Sequence, residues 1–128
     1  EPPVPGTSLY PGDTVAVADA LISTGAVKQA NTLLRMGIKE AASLPIAGSL
    51  GRRWTEVLAY GLLGEYDNAC KALAEAADIG YFQNHTVLTV DPALAKLRQQ
   101  PCFEKQYGRI RAMAEAQVSA ARKAGLLP

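Results

Sequence analysis

One short pattern occurs twice in this 128-residue chain and restricts its fold more than any other feature. Gly64 is followed at offsets of five, nine and twelve residues by Ala69, Leu73 and Ala76; Gly25 is followed at the same offsets by Ala30, Leu34 and Gly37. Glycine can end a helix in the left-handed conformation because it has no Cβ to clash. The three following positions share one face of a new helix, while Lys71, Glu75 and Asp78 are left toward water. A small residue at a crossing lets two helix backbones approach closely. Each copy therefore predicts a helix–turn–helix hairpin.

These residues resemble the tetratricopeptide repeat, whose unit is two antiparallel helices in about 34 residues. The second copy carries the family's turn glycine at Gly64, its aromatic at Tyr66, its small and large apolar positions at Ala69, Leu73 and Ala76, and Tyr60 in the preceding helix. The first copy matches at Ala18, Leu21, Gly25, Ala30 and Leu34, with Val27 in place of the aromatic. Two departures stand out. Gly25 and Gly64 lie 39 residues apart (64 − 25), and Arg53 and Glu56 occupy positions where the family prefers an aromatic or Leu. The resemblance covers about residues 12–80 and implies an all-α fold of stacked antiparallel hairpins.

Taken in order, residues 1–12 hold four prolines and two glycines, which predicts an extended linker or arm. The start at Glu1-Pro2-Pro3 is expected to be a cut through a longer chain. A single helical domain is expected over 13–128. Asp13 or Thr14 is a candidate N-cap for a first helix over about 14–24. The second helix is expected over about 26–43 and is stopped by Pro45. Residues 46–51 are expected to connect, 52–63 and 66–79 to form the second hairpin, and 81–90 to be irregular.

Asp91-Pro92 then reads as a helix start, the acid capping and the proline at the first helical position. From Asp91 to Phe103, Leu94, Leu97-Arg98 and Pro101 fall at fixed offsets. The segment resembles the motif that closes tetratricopeptide-type arrays in bacterial regulators, with Cys102 in place of the usual charged residue. It implies that Phe103 packs on the second hairpin beside Leu94 and Leu97. A long capping helix over about 102–124 is expected after it, stopped by Gly125. From Asp91 to Pro128 there are seven Lys/Arg and three Asp/Glu. A terminal repeat helix needs a polar outer face, so a solvated cap explains this excess, and a patch for an acidic partner is its alternative.

The resemblance places a concave surface on the first helix of each hairpin: Val15, Asp19 and Ile22, then Trp54, Leu58 and Leu62. A half-exposed indole is a large, rigid anchor with one donor. The competing reading is that a following helix covers Trp54 and makes the strip core.

Catalytic machinery is hard to find. His85 is the only histidine and lacks a neighbouring ligand pattern. Cys70 and Cys102 lack metal spacing; core thiols, a disulfide or a reactive thiol all remain open for them. The Gly48-Ser49-Leu50-Gly51 turn lacks the Lys-Ser/Thr of a phosphate loop. No catalytic residue, cofactor or metal is expected, and the chain is not expected to be an enzyme. A net charge of +1 argues against general nucleic-acid affinity, and no run of 18 apolar residues offers a membrane span. The expected function is protein–protein interaction, a concave apolar groove receiving another protein or peptide. The alternative is a homodimerisation domain that sets the oligomeric state of its parent. The resemblance points to the C-terminal part of a bacterial signalling or regulatory protein, cytoplasmic or periplasmic.

Overall fold

The computed structural model describes residues 11–43, 50–80 and 85–127, with side chains described from 14, 53 and 85 onward in those stretches. Among the described residues the chain is all-helical: α1 (Pro11–Ser23), α2 (Val27–Ala41), α3 (Leu50–Leu63), α4 (Tyr66–Asp78), a single turn α5 (Val87–Val90), two 3-10 turns (Pro92–Leu94 and Leu97–Gln99) and α6 (Pro101–Lys123).

The turns at Gly25 and Gly64 are built alike. Both glycines have positive φ, 87° and 78°. The amide following each glycine reaches back to the carbonyl five residues earlier, Ala26 to Leu21 and Glu65 to Tyr60, each at 2.9 Å. Each glycine's own amide bonds the carbonyl three residues back, Gly25 to Ile22 and Gly64 to Gly61. This double closure satisfies carbonyls that a helix end would otherwise leave unpaired. After each turn the next helix opens with no side-chain cap. Ala30 and Ala69, five residues past the glycines, are both fully buried.

α3 is the hub. It packs against α1, α2 and α4 and against the Pro92–Leu94 turn. α1 pairs with α2, and α6 lies on α4. The core runs through all of these, from Val15 and Ala18 through Leu33, Leu34, Val57 and Leu73 to Leu94, Leu97, Phe103 and Ile110. Leu94 and Leu97 reach α3 at Gly61, where a Cβ would lie 3.7 Å from the nearest Leu97 carbon. Phe103 is buried, as the closing motif implies, and stacks on Tyr107 with ring centroids 5.9 Å apart.

Polar contacts tie the same pieces together. Arg35 of α2 pairs with Glu65 in the α3–α4 turn. Arg109 of α6 pairs with Asp78 of α4. Arg98 donates to the carbonyls of Leu88 (3.2 Å) and Asp91 (2.7 Å), fastening α5 to the closing segment. Asp91 caps as expected, its carboxylate accepting from the Ala93 amide at 2.9 Å.

Several boundaries differ from those expected. α1 begins at Pro11, so Thr14 lies inside the helix and is buried rather than acting as the cap, and residues 11–12 belong to the helix rather than the arm. Proline is at home in a first helical turn, where its missing N–H has no partner to lose. Leu50 and Gly51 open α3 instead of connecting to it. Val87–Val90 forms one helical turn within the segment expected to be irregular. The rest of the expected arm (1–10), Pro45 and most of the 46–51 connector lie outside the described residues, as do residues 81–84. Cys70 and Cys102 are joined by a disulfide, one of the outcomes left open by the sequence.

Candidate functional site

The contact between α1 and α3 brings the two halves of the expected binding strip to neighbouring helices. Val15, Asp19 and Ile22 repeat at helical spacing along α1; Trp54, Leu58 and Leu62 do so along α3. Their burial divides them. Val15 is 3% exposed and Leu58 6%, and both belong to the core. Asp19, Ile22, Trp54 and Leu62 are half-buried, and Ile22, Trp54 and Leu62 pack against the core while keeping part of their surface open. Val15 and Leu58 are thus packed inside, while three large apolar side chains and one carboxylate keep part of their surface open. Burial of a rigid indole edge and aliphatic groups by a partner would be favourable, and the acid could orient that partner.

A second concavity lies between α3 and α4, about 140 Å³, lined by Arg53, Glu56, Tyr60, Asn68, Lys71 and Glu75 among others. Arg53 dominates it. Its Nη1 contacts Glu56 at 3.1 Å and Glu75 at 2.6 Å, while its Nε is buried with no hydrogen-bond partner. Only 11% of the Arg53 side chain is exposed, so the bridge to Glu75 is better shielded than an ordinary surface ion pair. Sequence reasoning noted Arg53 and Glu56 only as departures from a family pattern. Their charge in a helix that must pack on its neighbour is the sequence signal of this link between α3 and α4.

A shallower groove of about 340 Å³ runs along the far part of α6, with His85, Arg111, Val118 and Arg122 in its lining. His85 stacks on Tyr107 with centroids 6.4 Å apart, and Arg111 stands 5.8 Å over the same ring. This aromatic cluster was not foreseen, although Phe103 and Tyr107 at i, i+4 on one helix face announce it.

Glu65 is the one group among those described whose acidity departs clearly from the ordinary carboxylate value. The Arg35 hydrogen bond lowers its pKa, partial burial opposes that, and the Asn68 amide, donating at 3.0 Å, lowers it further. It joins α2 to the α3–α4 turn. Among the described residues no group of three His, Cys, Asp or Glu side chains is arranged to hold a metal, and no helix is long and apolar enough to cross a membrane. Compared with protein-family models, curated proteins and solved structures, the chain matches none of them.

Proposed function

We propose that this chain is a tetratricopeptide-like protein–protein interaction module, not an enzyme, and that it takes a peptide or helix of another protein along the α1–α3 edge. The observation that carries the reading is the equivalence of the Gly25 and Gly64 turns, which share φ, hydrogen bonding and buried alanine five residues on. The order of contacts fits stacked hairpins as well, with α3 against both helices of the first pair. In such an array the first helices form the inner surface and the closing segment seals the last hairpin. Asp19, Ile22, Trp54 and Leu62 are then the contact residues, with Val15 and Leu58 packed inside. The closing motif supports a bacterial regulatory or signalling protein as the parent.

Two measurements test this. Trp54 is the only tryptophan, so its emission reports on this edge alone. Partial acrylamide quenching in the free protein is expected; full protection would remove Trp54 from the surface and end the proposal. Sedimentation equilibrium separates recruitment from self-assembly. A monomer is expected for a module that recruits, whereas a stable dimer that shields Trp54 would replace it with homodimerisation.

A further inference from the structure

We propose that the Cys70–Cys102 disulfide is a permanent structural bond, maintained outside the reducing cytoplasm, and that it holds α6 on the rest of the fold. It does not depend on the binding edge proposed above.

The two cysteines are the only ones in the chain. They come from different helices, 32 residues apart, with Cα atoms 6.0 Å from one another, within the range a disulfide spans. Cys70 lies in the second turn of α4 and faces the core; Cys102 is the second residue of α6, just before buried Phe103. The bond therefore sits where the terminal helix meets the hairpin.

The intervening chain explains why a tie matters there. Its described residues between α4 and α6 contain one helical turn and two 3-10 turns, far less regular backbone than either hairpin. α6 is 23 residues long, yet its buried side chains are Phe103, Ile110 and Ala114. Residues 115–120 are exposed, Val118 at 43%. The helix is thus anchored along its first half, by Phe103, Ile110 and Ala114 and by the Arg109–Asp78 pair, and the disulfide adds a covalent anchor at its first turn. Closing the loop also lowers the entropy of the unfolded chain.

The chemistry balances simply. Two thiols lose two protons and two electrons, and the oxidant is a protein or small-molecule disulfide that departs as two thiols after passing through a mixed disulfide. Cytoplasmic thiol buffers run this exchange backwards, so a domain that relies on the bond belongs to an exported or periplasmic setting. In a regulatory parent this domain is then the extracytoplasmic part, and its partners are to be sought on that side.

The test uses the protein isolated from its own host cells, quenched in acid and treated with N-ethylmaleimide without reductant. Mass spectrometry is expected to find a peptide pair linked through Cys70 and Cys102, with neither residue alkylated. Alkylation of both in most molecules would overturn the compartment assignment. Hydrogen exchange on the folded protein, with and without a phosphine reductant, tests the structural role. Reduction is expected to speed exchange in α6 by at least about tenfold while α1–α3 change little; unchanged protection of α6 would overturn that role. Neither readout involves a binding partner, so failure here is separable from failure of the interaction reading.

Discussion

Phe103→Ala is the sharpest test of how the chain ends. Phe103 is 5% exposed, belongs to the same core as fully buried Leu94 and Leu97, and stacks almost parallel on Tyr107. Losing a buried aromatic forfeits about 1.5–3 kcal/mol of transfer free energy. The void adds a further cost, because a packed core relaxes only partly around a removed side chain. Loss of the Tyr107 stack adds to both. Together these place the destabilisation at about 3–5 kcal/mol, the usual range for such a truncation. With an unfolding entropy near 2.1 cal/mol/K per residue, a 128-residue chain should melt about 10–20 °C lower. Urea unfolding followed by circular dichroism measures the same difference. A loss below about 1 kcal/mol would mean that the closing segment is not cemented by Phe103, and the description of the C-terminal half would be wrong.

Three other outcomes follow from the packing. Ala30→Leu and Ala69→Leu should each cost about 1–3 kcal/mol by overpacking fully buried crossings, and similar losses in thermal melts are expected because the two turns are built alike. The glycines should split: Gly25→Ala and Gly64→Ala destabilise by about 1 kcal/mol at positive φ, while Gly61→Ala and Gly108→Ala, with room for a Cβ inside helices, stabilise by up to about 1 kcal/mol in the same assay. Glu65, whose acidity is increased in the folded state, contributes stability above the normal carboxylate range that is lost as pH falls through its folded value. Glu65→Gln should therefore flatten the acid limb of the stability–pH curve, modestly because the pair is largely solvated, and an unchanged limb would deny the Arg35 link.

The all-helical character and the turns at Gly25 and Gly64 are legible in the sequence because a turn glycine and a buried alanine five residues later are local requirements of backbone geometry. The closing segment is legible for the same reason, since Asp91-Pro92 and Pro101 each announce a helix start. The start of α1 is not: the proline content of residues 1–12 reads as extended chain, although Pro11 suits a first helical turn. A single turn such as Val87–Val90 is too short to display a period. Spacing identified which residues of the strip share a face, but could not say what lies against that face, so the burial of Val15 and Leu58 was hidden. The Cys70–Cys102 bond and the Arg53–Glu75 bridge depend on how separate helices are brought together, which no local pattern encodes.

The interaction reading is tested most directly by site-specific photocrosslinking in the protein's own cells. A benzophenone amino acid is placed in turn at Ile22, Trp54 and Leu62 on the α1–α3 edge, and at Gln29 and Lys71 on exposed faces of α2 and α4. A module that captures a partner along this edge gives one discrete adduct from positions 22, 54 and 62 and none from 29 and 71. Equal adducts from all five positions, or none from the edge, would contradict it.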